Sequence, residues 1–167
     1  MEMSSRTTEK IMKLALFDID GCISSCEWRS RIAKDKKYDL FHSLSIYDEP
    51  IDSVTTGLKR LHTIGCEIHL ITGRTEKYRQ ITMSWLAKYG IPYHSLYMRP
   101  DDDFRKASKL KMAYINDNFD ISSILLFVED NGHTMKSAKE AGINTFHFCE
   151  TSERNIRHFM RLINDLT

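Results

Sequence analysis

The sequence predicts an α/β fold: a doubly wound, mainly parallel sheet of five strands, helices on both faces, and a small flap near the first strand. Two observations carry this expectation. Strand-like apolar runs alternate with segments of helical period along most of the chain. No repeat, low-complexity tract or linker-like stretch interrupts them, and 167 residues suit one domain large enough to bury a core. One domain over residues 11–167 is therefore expected, with a flap at about 24–48 and a disordered tail at 1–10.

The first strand is the apolar run Met12 to Phe17, ending at Asp18. Ile51 to Ile64 spaces Val54, Leu58, Leu61 and Ile64 as a helix, which Gly65 closes. Cys66 to Ile71 forms the second strand, before Thr72 and Gly73. Glu76 to Tyr89 repeats Tyr78, Ile81, Trp85 and Tyr89 at helical intervals, and Gly90 and Pro92 stop it. Tyr93 to Met98 is the third strand and Phe104 to Asn116 a basic helix. Ile121 to Val128 is the fourth strand, Thr134 to Ala141 a helix ended by Gly142, Ile143 to Phe148 the fifth strand, and Glu153 to Leu166 the last helix.

Bulk composition narrows the function classes. The net charge of +1 lacks the basic excess of a free-standing nucleic-acid binder, although a local cluster could still hold a small phosphorylated substrate. No apolar run reaches the ~20 residues of a membrane span. Met1 to Lys10 is polar and carries no signal-peptide core, so a cytoplasmic protein is expected. Cys22, Cys26, Cys66 and Cys149 are far apart without a C-x-x-C pair, which suits reduced thiols better than a disulfide framework or a structural zinc.

In sheets of this class ligands bind beyond the carboxyl ends of the strands. Strand one ends in Phe17-Asp18-Ile19-Asp20-Gly21, strand two in Thr72-Gly73-Arg74 and strand four in Glu129-Asp130. A lone strand-end Asp is as often a cap or a turn residue. Several at one rim require a shared cause. Clustered carboxylates resist ionisation unless a cation joins them, and an all-oxygen donor set suits Mg²⁺. Beside it, Asp18 can attack a phosphate monoester as nucleophile. Asp20, two residues on, can protonate the leaving oxygen and later activate water. Gly21 permits the sharp turn, and Arg74, just after Thr72-Gly73, suits a phosphate contact or a surface ion pair.

The set Asp18-Ile19-Asp20-Gly21, Thr72-Gly73-Arg74 and Glu129-Asp130, in that order, resembles the haloacid dehalogenase (HAD) superfamily, over roughly Lys13 to Phe148. That likeness implies strand order 3-2-1-4-5, and the second aspartate at Asp20 is similar to its phosphatase branch. Tyr38-Asp39-Leu40-Phe41, Ile71 to Arg74, Trp85-Leu86 and Tyr97 to Lys106 resemble, more narrowly, the phosphatase domain of phage polynucleotide kinase-phosphatases and their stand-alone relatives. The narrower resemblance implies a polynucleotide or nucleotide 3′-phosphatase acting through an aspartyl-phosphate. It implies Thr72 on the phosphoryl oxygens, Gly73, Arg74 and Arg99 at the substrate, and Lys111 as the charge-neutralising lysine. The metal would lie on Asp18, the backbone carbonyl of Asp20 and the Glu129-Asp130 pair. Cys22 stands where Thr is usual and Glu129 where Asp is usual. No phosphate loop of a kinase occurs, so no kinase activity is expected.

Other features have plainer readings beside these. Lys111 shares a basic helix with Lys106 and Lys109, whose ordinary fate is solvent. Asp101 to Asp103 reads as loop surface, with Asp103 as a cap. Trp28 and Tyr38 of the flap either anchor it or stack on a base. A cysteine-phosphatase loop fails, because neither Cys22 nor Cys26 has an arginine at the required spacing. Two further functions stay open: a 5′-nucleotidase acting on nucleoside monophosphates, and a catalytically silent phosphate-binding module, against which both Asp18 and Asp20 argue.

Overall fold

In the computed structural model the described residues are 13–167; the expected tail at 1–10 and the first residue of the expected first strand lie outside them. Seven strands and seven α-helices follow in chain order: β1 (Leu14–Phe17), β2 (Ser24–Ser25), α1 (Ser30–Lys34), α2 (Tyr38–Ser43), β3 (Glu49–Pro50), α3 (Asp52–Thr63), β4 (Glu67–Thr75), α4 (Arg79–Lys88), β5 (Ser95–Arg99), α5 (Ala107–Asn118), β6 (Ile124–Glu129), α6 (Gly132–Glu140), β7 (Thr145–His147) and α7 (Glu153–Leu166). Five strands make one parallel sheet in the order β5-β4-β1-β6-β7, which is 3-2-1-4-5 when only those strands are numbered.

The β1 strand is buried on both faces, and alternation divides its side chains. Ala15 and Phe17 pack with Val54, Leu58 and Leu61 of α3, Trp85 of α4, and Phe159 and Ile163 of α7. Leu14 and Leu16 pack on the other face with Met112 and Ile115 of α5 and Ala138 of α6. Helices α3 and α7 approach closely because Gly57 lacks a side chain: a Cβ there would stand 2.9 Å from Cγ1 of Ile163.

The second sheet strand runs farther than its hydrophobic run suggests. It continues through Thr72-Gly73-Arg74 to Thr75, and its pairing with β5 slips between Ile71 and Thr75. The motif therefore sits on an irregular strand end, where a register slip aims side chains off the ladder. The basic helix starts at Ala107 rather than Phe104, leaving residues 100–106 as a loop.

Residues 24–50 form the flap, closed at its base by antiparallel pairing of β2 with β3. Asp48 holds it together from inside. Its buried carboxylate accepts from Ser24 Oγ, from Trp28 Nε1 at 2.9 Å and from Arg29 Nε at 2.8 Å, while its carbonyl accepts from Trp85 Nε1 at 2.8 Å. Arg29 also donates to the Phe41 carbonyl at 2.9 Å and lies over the Phe41 ring at 4.0 Å. No helix among the described residues is long and apolar enough to cross a membrane.

Candidate active site

The carboxyl ends of β1, β4 and β6, the flap and the 100–106 loop surround a cleft of about 730 Å³, lined at its base by Asp18, Asp20, Gly73, Lys111, Glu129 and Asp130. Asp18 sits directly after β1, its N–H donating to the Val128 carbonyl at 3.0 Å, so the sheet itself fixes its backbone. Lys111 is buried and donates to Asp18 Oδ1 and to Glu129 Oε2, each at 2.7 Å, whereas Lys106 and Lys109 are exposed. The other Glu129 oxygen accepts from the N–H groups of Asp130 and Asn131 at 3.1 and 3.0 Å. That carboxylate is engaged on both oxygens.

Asp130 packs against the backbone of Gly21, whose φ of +79° only glycine adopts without strain. A Cβ on Gly21 would stand 2.2 Å from Asp130 Oδ2, so any side chain would displace that carboxylate. Donor atoms of Asp18, Cys22 and Asp130 lie within 4.8 Å of one another. Burial raises the Asp18 carboxyl well above the usual range, and the neighbouring Glu129 and Asp130 add to it against the opposing pull of Lys111. Exclusion of water around its carboxyl, with Glu129 alongside, pushes Asp130 up to about 7. Two neighbouring carboxyls, both held back from ionisation by burial and by Glu129, fit a hard dication, which would relieve both; the Cys22 thiol, raised by burial, is a poor ligand for one.

Asp20 behaves oppositely. Burial works against its charge, yet Arg74 and then Arg29 outweigh it and hold the carboxyl well below the usual range. Arg74 grips Asp20 with Nε at 3.0 Å and Nη2 at 2.7 Å, and Arg29 Nη2 adds a contact at 2.5 Å. The side chain of Asp20 is thus committed to guanidinium groups, leaving only its backbone carbonyl for an ion.

The sequence expectations meet this geometry unevenly. Asp18, Asp20, Lys111, Glu129 and Asp130 converge on one cleft with Gly73. Arg74 departs from the expected substrate position: it is fully buried, donating to Asp20 and Thr82, and does not line the cleft. Thr72 is also fully buried, its Oγ1 accepting from the Arg74 N–H at 3.2 Å. Arg99 lines the cleft but donates to three carbonyls, those of Gly73, Asp103 and Arg105. Glu129 lies outside the group that could share one ion. Asp103 lies in the loop, as expected, but does not cap the helix: it accepts from the Arg105 N–H and guanidinium, and Lys106 is the N-cap residue of α5, without a side-chain cap bond. Tyr38 lines the cleft, whereas Trp28 lines a separate, shallower pocket with Ser25, Tyr47 and Glu49.

Sequence reasoning missed three participants. Arg29 reads as one of several flap cations, and Asp48 as a loop acid before Pro50. Nothing in the local sequence sets them apart from the other flap charges: Arg29 stands between Trp28 and Ser30, and Asp48 between Tyr47 and Glu49. His42 was also missed; burial lowers its pKa to about 4, and its Nδ1 is buried at the cleft without a hydrogen-bond partner among the described residues.

A family model described as the polynucleotide kinase PNKP phosphatase domain matches residues 12–151. The chain belongs to this family. It is a phosphatase of the haloacid dehalogenase superfamily. Solved structures agree on the fold. The Pnkp1/Rnl/Hen1 RNA repair complex matches with a TM-score of 0.72 at 24% identity, over 87% of this chain and 46% of that one. A haloacid dehalogenase-like hydrolase from Streptococcus pneumoniae matches at 0.65 with 10% identity, over 94% and 99%. A D,D-heptose 1,7-bisphosphate phosphatase from B. bronchiseptica, complexed with magnesium and phosphate, matches at 0.60 with 14% identity, over 93% and 98%. The chain spans about half of the chains it matches in the repair complexes, 46–50%. No curated protein sequence matches it.

Proposed function

We propose that this PNKP-family phosphatase is a Mg²⁺-dependent phosphomonoesterase that removes 3′-phosphates from nucleic-acid ends, with Asp18 as nucleophile. The observation that carries the reading is the pairing of opposite environments two residues apart. Asp18 faces the cleft with one oxygen on Lys111 and carboxylate neighbours, while Asp20 is clamped by Arg74 and Arg29. Asp18, Asp130 and the Asp20 carbonyl would hold Mg²⁺. When bound, the ion neutralises the carboxylates and the phosphoryl oxygens, which lets an anionic nucleophile meet an anionic ester.

The protein's own groups then divide the work. Lys111 orients Asp18 and keeps its attacking charge from being repelled by Glu129. Asp18 attacks phosphorus, the ester oxygen leaves, and an aspartyl-phosphate forms. Asp20 gives a proton to the leaving oxygen and later takes one from the water that attacks the aspartyl-phosphate, breaking its bond to Asp18 and releasing inorganic phosphate and the free carboxylate. The arginines favour its ionised form, which suits the water step; the proton for the first step is favoured by the dianionic substrate arriving alongside. Arg74 and Thr72 hold Asp20 and the strand end in position from behind. Gly73, which lines the cleft, leaves room there for phosphoryl oxygens. A nucleic-acid end is supported by the family and by the open cleft, since α1 and α2 are too short to enclose it.

The test compares phosphate release from 3′-phosphorylated oligonucleotides, 5′-phosphorylated oligonucleotides and nucleoside monophosphates, with Mg²⁺ and with chelator. Release from 3′ ends, lost in Asp18→Asn, is expected. Release from 5′ mononucleotides alone would replace this reading with that of a nucleotidase, and full Asp18→Asn activity would remove the nucleophile.

A further inference from the structure

We propose that Tyr38 and Phe104 are the specificity-determining side chains of this cleft, stacking on unpaired bases next to the scissile phosphate of a single-stranded 3′ end. The inference rests on the proposed reading, decides for Tyr38 between anchoring the flap and stacking on a base, and adds Phe104, to which no role has been given. Phe104 is 91% exposed and Tyr38 57% exposed, and both line the same cleft from different segments, the 100–106 loop and the flap. At about 730 Å³ the cleft is of a size for a nucleotide-scale ligand, far beyond a phosphoryl group.

The rings are not loose ends. Arg99 Nη1 donates to the carbonyls on either side of Phe104, those of Asp103 at 2.9 Å and Arg105 at 2.7 Å, and its Nε ties the loop to the Gly73 carbonyl at 3.2 Å. Asp103 closes the same turn by accepting the Arg105 N–H at 3.0 Å. Phe104 is thus the residue left pointing out of a backbone pinned on both flanks. Tyr38 opens α2, where the next residue, Asp39, accepts from Tyr78 Oη at 2.6 Å and Lys77 Nζ at 2.8 Å. Lys77 also donates its N–H to Asp101 at 2.9 Å, so one residue links both rims and sets the gap between them.

A solvent-exposed phenyl ring on a fixed loop gains little for folding, whereas a preset stacking platform lowers the ordering cost of binding. Charge agrees on the occupant. Arg31, Lys34, Lys36 and Lys37, all exposed, outnumber Asp35 and Asp39 along flap residues 31–39, although the chain as a whole is only +1. Lys36 turns the chain there with a φ of +59°, and Lys36 and Lys37 immediately precede Tyr38 in the chain. A polyanion with stacking faces matches such a surface; a sugar phosphate or an apolar peptide does not.

The experiment uses 3′-phosphorylated single strands with either a normal or an abasic terminal nucleotide, assayed with wild type, Phe104→Ala, Tyr38→Ala and Phe104→Trp. Each alanine variant is expected to raise KM for the base-bearing end by about five- to fiftyfold without changing kcat. KM for the abasic end should not move, and Phe104→Trp should restore the difference. In parallel, 2-aminopurine at the strand's end, bound to Asp18→Asn protein, should be quenched through Phe104 and released in the Phe104→Ala, Asp18→Asn double variant. Turnover of 3′ ends without base dependence, or quenching indifferent to both rings, overturns the inference while the phosphatase reading stands. Quenching through Phe104 without phosphate release from any 3′ end supports the platform and overturns the 3′-phosphatase reading instead. Absence of both removes the two together.

Discussion

Asp48→Asn tests the flap lock without touching the cleft. The Asp48 side chain is fully buried and accepts from Ser24, Trp28 and two nitrogens of Arg29. Asparagine keeps one acceptor oxygen and turns an NH₂ toward donors that have no water to fall back on. Removing one partner of a buried ion pair costs about 3–5 kcal/mol, mostly because the remaining charge is left uncompensated. Arg29 here retains Asp20 and the Phe41 carbonyl, which places the expected loss at the lower end, about 3 kcal/mol. At roughly 2–4 °C per kcal/mol for a chain of this size, the thermal midpoint should fall by about 6–12 °C. Phosphate release at a temperature where the variant is folded should also drop, by about 10- to 100-fold, as Arg29 loses the anchor that orients it on Asp20. Circular-dichroism melts and steady-state turnover read the two effects. A midpoint within about 2 °C of wild type would show that the pair contributes nothing net, and the lock would then have to be apolar packing alone.

Three further outcomes are expected. Lys111→Met should cut turnover by at least about a hundredfold by leaving Asp18 and Glu129 without their cation, whereas Lys109→Met should leave it unchanged in the same phosphate-release assay. Mg²⁺ should raise the melting midpoint of the chelated protein, by about 2.7 kcal/mol of stability at a hundredfold excess over its dissociation constant, and Asp130→Asn should abolish the shift in calorimetry. His42 takes a proton near pH 4 when folded but near 6.5 when unfolded, so the unfolded chain binds the proton first as pH falls. Stability contributed by neutral His42 is therefore full above about 6.5 and lost toward 4, by about 3 kcal/mol, and His42→Phe should flatten that part of the melting profile.

The sheet was legible in the sequence because each of its strands is a short apolar run ending in a polar group, a pattern that periodicity captures. Boundaries were less so where local chemistry changes the ending. The strand through Thr72-Gly73-Arg74 keeps pairing after its apolar run stops, because the backbone bonds of a ladder do not depend on side-chain polarity. Convergence of Asp18 with Glu129 and Asp130 followed from strand ends sharing one rim. Orientation did not. A strand-end arginine reads the same whether it meets a ligand or another side chain, and Arg74 is turned inward by Asp20, a partner 54 positions earlier. The Arg29–Asp48 pair was hidden because its two members lie 19 residues apart, one in a short helical turn and the other an extended residue just after a second such turn, with no period to align them.

Charge explains why Asp18 and Asp20, two residues apart, are driven in opposite directions. The buried acids of this rim fall into two groups. Asp20 and Asp48 share Arg29 and Arg74, two negative charges against two positive, with every carboxylate oxygen contacted by a guanidinium or its neighbours. Among the described residues, Asp18, Glu129 and Asp130 share Lys111 alone, three against one. The balanced group needs nothing more and can be rigid; it ties the flap to the strand ends and fixes where Asp20 points. The unbalanced group is two positive charges short; burial first and this surplus of negative charge second raise Asp18 and Asp130, and a single dication would supply the deficit. Substituting an acid in the first group should therefore cost stability whether or not metal is present. In the second group, Asp130→Asn should cost little in metal-free protein and become costly only when Mg²⁺ is added.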